Sequence, residues 1–471
     1  MTVKPRKILW RLRAGERRAL LVLGDLVAAL VATFIALTLW AQLDYLGPEP
    51  SPEFIRARAP WFVVLPFIWL ALMVNLYDIH RASSRRDTIR GILVASLFGA
   101  VLYMVLFFTT DGSLPRRAVL YFLLLAAGLT LVWRLAYIAV FTAPAFMRRV
   151  LIAGAGDSSR YFLDSINGVW PPPFHLVGIV DDDAAKQGRH IQKTKVLGRS
   201  SALLELVEKE LVSDIIVAIR GPLQGEMFQG LLDAQERGVE VSQMPTSYEE
   251  LFGRVPIQYL ESDWILSSFV DEARVSALYL VIKRAIDLAG ALVGLLVLLL
   301  FLPFAAIAIL IETGRPVFYT QERLGQGAKR YHVIKLRTMQ KDAEPEGRAL
   351  VAQKDDPRTT KAGRILRRTY LDELPQFWSV LLGDMSLVGP RPERPELVAD
   401  YEKQIPFYRA RLLAKPGITG WAQVNYGKGA SIEGTAEKLE YDLYYIKHRG
   451  AGLDLWIILR TLGHVIGLRG V

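Results

Sequence analysis

The sequence predicts a membrane protein of mixed α and α/β structure. The predicted architecture is a bundle of four transmembrane helices, followed by a parallel-sheet domain and an α/β domain with a re-entrant membrane helix. Three observations predict this class. The 471 residues are 52% hydrophobic with mean hydropathy +0.25, too apolar for an ordinary soluble protein. Long apolar stretches match the thickness of a bilayer. Elsewhere, short apolar runs alternate with helical periods, which is typical of a parallel sheet.

The first domain, residues 1–146, contains four apolar stretches, at 19–40, 60–77, 92–109 and 119–141. The first has no signal-peptide cleavage pattern, so we expect a permanent transmembrane helix. Seven Lys and Arg residues precede it, against two, four and two in the following loops, which indicates a cytoplasmic amino terminus. Asp25 and Arg134 fall inside these stretches. We expect them to lie near interfaces or to pair inside the bundle rather than to serve transport.

The second domain, residues 147–270, is predicted to be Rossmann-like. Its apolar runs are 150–153, 176–181, 214–218 and 239–243. The first run leads into Gly154-Ala155-Gly156, similar to a Rossmann phosphate turn, but Ser159 stands where a third glycine is expected. Acids at 181–183 end the second run, where a ribose-binding acid would lie. Because two glycines are a weak motif, a nucleotide site and a structural or regulatory domain both stay open.

A fifth apolar stretch, residues 288–311, has 24 uncharged residues, about 36 Å as a straight helix. Basic residues flank it on both sides, beginning with Lys283 and Arg284, so a full crossing would leave one basic side outside. Pro303 lies near the middle and predicts a break in the helix. We therefore expect a re-entrant helix over residues 280–312, with a full span as the alternative.

An adjacent acid pair, Asp372 and Glu373, follows a run of arginines. If a helix begins there, Asp372 is its N-cap and Glu373 a first-turn acid. Because a helix N-terminus flanked by arginines also binds phosphate, we expect the cations to lower the carboxylate pKa and keep Asp372 ionised. An ionised aspartate beside a magnesium-neutralised phosphate can act as a nucleophile, and its neighbour can hold the metal.

Other segments add cations and one open alternative. Arg391 lies between two prolines, a rigid setting that suits a pyrophosphate or carboxylate. Lys335 and Arg337 end an extended region around a glycine turn. The tail, residues 453–471, fits either a helix on the membrane surface or a packed core helix.

The composition also excludes several classes of function. The chain has no cysteine and only six scattered histidines, which excludes disulfides and thiolate zinc sites and argues against a zinc or di-iron hydrolase. The net charge of +10 suits nucleic acid, anionic lipid or phosphate-rich substrates. We expect no nucleic-acid binding, because the basic residues lie at membrane flanks and around the acid pair.

At these residues the sequence resembles the bacterial sugar transferase family, specifically its large monotopic phosphoglycosyl transferases, the undecaprenyl-phosphate hexose-1-phosphate transferases. The resemblance covers the whole chain and is most specific in the last domain, residues 271–471. The motifs that carry it are Lys283-Arg284-x-x-Asp287, Gln321-x-Arg323-x-Gly325, Lys335-Leu336-Arg337-Thr338-Met339, Leu371-Asp372-Glu373-Leu374-Pro375-Gln376, Val388-Gly389-Pro390-Arg391-Pro392 and Lys415-Pro416-Gly417-Ile418-Thr419-Gly420. Two departures, Glu312-Thr313-Gly314-Arg315-Pro316 and Leu336, do not touch the acid pair.

The resemblance implies transfer of a hexose 1-phosphate from a UDP-sugar to undecaprenyl phosphate with release of UMP, as the first membrane step of exopolysaccharide, capsule or O-antigen assembly. It implies Mg²⁺ as cofactor and a ping-pong mechanism in which Asp372 becomes a phospho-aspartate and Glu373 binds the metal. The residues expected to bind phosphate or nucleotide are Lys335, Arg337, Arg367, Arg368 and Arg391. Lys283, Arg284 and Pro303 would anchor and break the re-entrant helix.

The implied location is the bacterial cytoplasmic (inner) membrane, with the CoA-binding-like middle domain and the catalytic domain on the cytoplasmic side. We expect contacts with membrane lipids and a homodimer. The sugar is left open between glucose and galactose. Two other functions compete with this one: a membrane-anchored nucleotide-sugar dehydratase or epimerase, which would need bound NAD, and a non-enzymatic assembly platform.

Overall fold

The computed structural model describes residues 14–44, 56, 64–77, 79–109, 116–141, 147–169, 172–223, 225–260, 276–340, 343, 356–426 and 431–466. The chain forms two compact units, Met1–Leu251 and Phe252–Val471. The first unit contains the amino-terminal helices and a six-stranded sheet. The second contains the fifth apolar stretch and the acid pair.

The helices of the first unit are α1 (Ala14–Asp44), α2 (64–72), α3 (Ile79–Ala82), α4 (Arg85–Thr109), α5 (Arg116–Phe141), α6 (Asp157–Asn167), α7 (Leu203–Lys209), α8 (Gly225–Glu236) and α9 (Met244–Phe252). Its strands are β1 (Arg149–Ala153), β2 (His175–Val180), β3 (His190–Ile191), β4 (Thr194–Gly198), β5 (Asp214–Val217) and β6 (Glu240–Gln243).

The helices of the second unit are α10 (Ala277–Thr313), α11 (Lys361–Arg368), α12 (Phe377–Leu382), α13 (Pro395–Glu402), α14 (Trp421–Asn425), α15 (Ile432–His448) and α16 (Ala451–Ile466). Its strands are β7 (Phe318–Leu324), β8 (Arg330–Leu336), β9 (Ser386–Val388) and β10 (Gly417–Thr419). The extended region expected around the glycine turn forms an antiparallel hairpin of β7 and β8, and β9 pairs in parallel with β10.

Among the described residues, four helices are long and apolar enough to cross a membrane: Gly15–Leu43, Arg85–Met104, Arg117–Phe141 and Ala277–Thr313. Three of the four predicted amino-terminal spans are therefore confirmed as long apolar helices. The second, residues 60–77, lies partly outside the described residues. Its described part is α2 followed by a 3-10 turn at Val74–Tyr77, so a span there stays a prediction.

A buried ion pair joins α1 and α5. Arg134 contacts Asp25 at 2.6 Å, and both side chains are 0% exposed. The Arg134 guanidinium also donates to the Leu76 carbonyl at 2.9 Å, on the 3-10 turn that follows α2. A charge in apolar surroundings is costly unless it is paired and hydrogen-bonded. Of the two alternatives predicted for these residues, pairing inside the bundle is confirmed.

The predicted parallel sheet of the first unit is confirmed. Its order is β3-β4-β2-β1-β5-β6, and the predicted apolar runs form β1, β2, β5 and β6, which pair in parallel. Residues 151–153 of the central strand are 0% exposed. The edge hairpin β3–β4 was not predicted, because β3 has only two residues and carries no recognisable periodicity.

The core of the second unit lies among α13, α15 and α16. Ile457 of α16 is 0% exposed and belongs to this core, so the packed-helix alternative for the tail is correct for that face. Val255 and Ile257 are buried in the same core. Residues 252–260, which we expected in the middle domain, therefore pack with the second unit.

Helix α10 is continuous over 37 residues with Pro303 inside it. The expected break is wrong as an interruption of the helix, because a proline removes one hydrogen bond and bends a helix without necessarily ending it. Near the carboxyl end of α10, the Glu312 carboxylate accepts hydrogen bonds from the backbone amides of Lys361 and Ala362, at 2.6 and 2.8 Å. The outer face between the two ends is apolar and exposed, with Leu299 68% and Phe304 71% exposed.

We predict that Asp25→Leu destabilises the protein more than the double variant Asp25→Leu/Arg134→Leu. The single variant leaves a buried guanidinium without its counter-charge, and breaking a buried pair costs about 3–5 kcal/mol. The double variant removes both charges. Thermal unfolding midpoints in one detergent compare the variants, with exposed Arg86→Gln as control. A double variant that unfolds at or below the temperature of the single variant would contradict the prediction.

Candidate active site

The acid pair lies on a 3-10 helix, Leu371–Gln376, that connects α11 and α12. Tyr370 precedes it in the left-handed backbone conformation, with φ 59°. The predicted α-helix start at Asp372 is therefore wrong. Asp372 lies inside the 3-10 helix and makes no N-cap there, because the tight turn at Tyr370 begins the helix one residue earlier. Asp372 is buried, with 8% of its surface exposed.

Glu373 is held by two cations from different elements. Its Oε1 accepts a hydrogen bond from Lys335 Nζ at 2.8 Å and another from Arg391 at 2.9 Å. Lys335 comes from β8, opposite Tyr319 in the hairpin, and Arg391 follows β9. Burial alone would raise the pKa of Glu373, but the charges and hydrogen bonds of Lys335 and Arg391 lower it well below its ordinary value.

Asp372 behaves differently from its neighbour. Burial, reinforced by the negative charge of Glu373, raises the pKa of Asp372 to about 6. The charges of Lys335, Arg367 and Arg391 oppose this rise without cancelling it. The expectation that cations lower the carboxylate pKa is correct for Glu373 and wrong for Asp372, because the direct hydrogen bonds go to Glu373 alone.

The other predicted cations are placed differently. Arg367 donates to the hydroxyls of Thr338 and Thr359 at 2.9 and 3.1 Å, so it is held beside the acid pair. Arg337 has a buried guanidinium nitrogen with no hydrogen-bond partner among the described residues. Arg368 is exposed on α11. The structure thus brings Lys335, Arg367 and Arg391 to the acid pair and leaves Arg368 at the surface.

Lys283 and Arg284, predicted as membrane anchors, contact this unit. Lys283 Nζ contacts Asp454 at 2.9 Å and the Val388 carbonyl at 3.0 Å. Arg284 donates to the carbonyls of Val380 and Leu381 at 2.8 Å each. These carbonyls lie in the last turn of α12, where backbone carbonyls have no hydrogen-bond partner within the helix. A role in membrane anchoring stays a prediction.

Asp442 and Asp454 are among the buried acids of this unit that sequence reasoning missed. Asp442 pairs with Arg411 at 2.9 Å, and burial raises the pKa of Asp442 to about 6 although Arg411 opposes the rise. Asp454 is the partner of Lys283. Each acid lies far along the chain from its cation, and no local motif marks either pair. The hydrophobic periods of α15 and α16 were the only signal that acids at these positions face inward.

The acid pair fits a magnesium ion of the usual kind. Magnesium is commonly bound through one or two carboxylates and takes its other ligands from substrate phosphates and water. Asp372 and Glu373 supply two adjacent carboxylates beside three cations suited to phosphate. Within the described part of the chain, no group of three or more His, Cys, Asp or Glu residues could hold a metal, so these two residues would need the substrate to complete the coordination.

The glycine turn of the first unit makes an internal contact. The backbone amide of Ala155 donates to the Asp181 carboxylate at 2.6 Å, and Lys186 contacts the same oxygen at 3.2 Å. Asp181 is one of the three acids, 181–183, that end the second run, where a ribose-binding acid would lie. Here it occupies an amide that a phosphate would use, which favours the structural or regulatory alternative for this turn in the present conformation.

Two family models match the chain. Residues 278–467 match the bacterial sugar transferase family, and residues 73–245 match a CoA-binding domain. The first model covers the acid pair, all five predicted phosphate-binding residues, and Lys283, Arg284 and Pro303.

Three relatives are similar to this chain. A UDP-N-acetylgalactosamine-undecaprenyl-phosphate N-acetylgalactosaminephosphotransferase of Aeromonas hydrophila is 38% identical over 46% of this chain, and the match spans only 50% of that relative. An undecaprenyl-phosphate glucose phosphotransferase of Komagataeibacter xylinus is 28% identical over 94% of this chain and 82% of its own. The exopolysaccharide production protein PSS of Rhizobium leguminosarum bv. phaseoli is 39% identical over 39% of this chain.

The Rhizobium relative is matched over 94% of its own length, and the family model covers the whole segment that builds the site. This chain belongs to the bacterial sugar transferase family.

Proposed function

We propose that this protein transfers a hexose 1-phosphate from a UDP-sugar to undecaprenyl phosphate, releases UMP, and does so through a phospho-aspartate at Asp372. The observation that carries the proposal is the asymmetry of the acid pair. Glu373 is hydrogen-bonded to two cations, whereas Asp372, buried beside it, has none of these hydrogen bonds. A carboxylate without cationic hydrogen bonds keeps its lone pairs for attack.

Two displacements at one phosphorus atom describe the reaction. In the first, an Asp372 oxygen attacks the sugar-bearing phosphorus, the bond to the UMP oxygen breaks, and UMP leaves with the bonding electrons. In the second, a phosphate oxygen of undecaprenyl phosphate attacks the same phosphorus. The bond to Asp372 breaks, the carboxylate is restored, and the lipid carries a diphosphate-linked sugar. A covalent relay suits a lipid acceptor that cannot meet a soluble nucleotide freely.

The remaining residues bind and orient the phosphates. Lys335 and Arg391 position Glu373, and Arg367 adds a third positive charge beside Asp372. Arg337, whose buried guanidinium nitrogen has no hydrogen-bond partner in the part of the chain that the structure describes, is suited to a phosphate oxygen. Glu373 would hold magnesium, which when bound neutralises charge on the phosphates.

The sugar is proposed from the relatives. The Komagataeibacter protein, which aligns over 94% of this chain, is named for glucose, and the Aeromonas protein for N-acetylgalactosamine. We propose glucose as the first donor to test. The name of the Rhizobium relative supports a role in exopolysaccharide production. A homodimer and lipid contacts stay predictions from the sequence.

We also propose that α10 is re-entrant, with both ends on the cytoplasmic side of the bacterial inner membrane. Both ends contact the same compact unit, through Lys283 near the start and Glu312 near the end. If the helix were straight, its 37 residues would hold its two ends about 55 Å apart, which is more than the thickness of a bilayer core. A full span would place these two contacts on opposite sides of the membrane.

We predict that Asp372→Asn releases at least a thousandfold less UMP than wild type in detergent, because an amide is not a nucleophile at phosphorus. Wild-type protein with a UDP-sugar and magnesium but no lipid should release one equivalent of UMP and retain the labelled sugar. Asp400→Asn, which removes an exposed acid paired with Lys403, is the matched control. Turnover by Asp372→Asn near the wild-type rate would refute the nucleophile.

The pH dependence is predicted from the pKa of Asp372. Below about pH 6 the nucleophile is protonated, so kcat/KM should fall about tenfold per pH unit as the pH decreases. Removing a nearby cation raises this pKa further, so Arg367→Gln should move the acidic limb to higher pH. Arg364→Gln, exposed on the same helix, should leave the limb in place. Movement toward lower pH in Arg367→Gln would contradict the assignment.

The orientation of α10 can be tested with single cysteines, since the chain has none. Ser276→Cys and Arg315→Cys, at exposed positions flanking the helix, should both react with an impermeant maleimide in inverted vesicles only. Ser51→Cys, in a loop predicted outside, reports access in right-side-out vesicles. Labelling of one flank from each side would show a full span.

A further inference from the structure

The loop that carries Arg391, residues 388–391, is held at its start by a largely buried cation. Lys283 Nζ donates to the Val388 carbonyl at 3.0 Å, and the Tyr445 hydroxyl donates to the same oxygen at 3.1 Å. Lys283 pairs with Asp454, whose side chain is 3% exposed. Because Lys283 belongs to α10, this contact connects the membrane helix directly to the loop.

The end of the loop is held by a second buried cation. Arg411 donates to the Arg391 carbonyl at 2.9 Å and pairs with Asp442 at the same distance. It also donates to the Tyr408 hydroxyl at 2.7 Å. The Arg411 and Asp442 side chains are 8% and 3% exposed. Burying such a pair adds little stability compared with apolar packing, so stability alone does not explain it.

The side chain of Arg391 depends on this backbone support. It is 49% exposed, so packing does not fix it, yet it must meet Glu373 at 2.9 Å. The loop itself has no spare room, since a Cβ on Gly389 would lie 2.1 Å from the Lys415 carbonyl oxygen. Because the exposed side chain follows its backbone, a small shift of the loop would move the guanidinium away from the acid pair. Displacements of about 1 Å can cost about a hundredfold in rate.

We propose that Lys283 and Arg411 are positioning residues that clamp residues 388–391 from both ends and so place Arg391 on Glu373. The effect of this clamp on catalysis rests on the proposed function. Neither cation contacts the acid pair itself. Each acts through a backbone carbonyl of the loop, and the Lys283 contact sets the loop relative to the membrane helix.

A double-mutant cycle tests the proposal. Arg411→Gln and Lys283→Gln should each lower kcat/KM for the UDP-sugar about tenfold, mainly through KM, with Arg411→Lys partly restored. In an Arg391→Ala background the same substitutions should cost less than twofold, because the residue through which they act is gone. A purely structural role predicts equal losses in both backgrounds and would overturn the proposal. Arg409→Gln, which removes an exposed ion pair with Glu402, is the matched control.

A second measurement does not depend on activity. Hydrogen exchange of the segment 386–394 in detergent-purified protein should speed up at least fivefold in Arg411→Gln and Lys283→Gln, with the α11 segment, which contacts neither residue, unchanged as a check on folding. If segment 386–394 exchanges no faster in Arg411→Gln and Lys283→Gln than in Arg409→Gln, the clamp is overturned even where wild type releases UMP. A protected wild-type loop that loosens in the variants, without UMP release by wild type, would support the clamp and refute the proposed function instead.

Discussion

The convergence of Lys335 and Arg391 on one oxygen of Glu373 organises the site. The two cations come from a hairpin and from the loop after β9, and only the glutamate joins them. Their hydrogen bonds stabilise the charge on Glu373 despite its burial. That retained charge then acts on Asp372, which is buried next to it and lacks the same bonds. One environment therefore lowers the pKa of one carboxyl group and raises the pKa of the other.

The long helix α10 imposes the second constraint. Its inner face packs against α12 and the hairpin, and its outer face is apolar and exposed. Contacts at both ends belong to the same unit, so the helix and the site form one body. Lys283 shows how closely they are joined, because this residue of α10 bonds the loop beside the acid pair. Helix α10 is thus part of the framework that supports the site.

The first unit also pairs its charged side chains internally. Asp25 and Arg134 are paired within the helices, and Asp181 uses its carboxylate on the glycine turn. By residue type alone, Asp25 and Arg134 would indicate transport and Asp181 would indicate nucleotide binding. Each of them makes a contact inside the first unit. The match to a CoA-binding domain covers residues 73–245 of this unit.

Local patterns in the sequence determined the long helices, the strands β1, β2, β5 and β6, the hairpin and the identity of the acid pair, because periodicity and adjacent residues are local properties. Tertiary structure alone decided that Pro303 does not interrupt α10 and that Asp372 has a raised pKa. It also paired Arg411 and Lys283 with acids that lie 31 and 171 residues away along the chain. Burial and pairing across such distances arise only when the chain has packed. The pKa values and ion-pair energies of these charged groups depend on both burial and pairing.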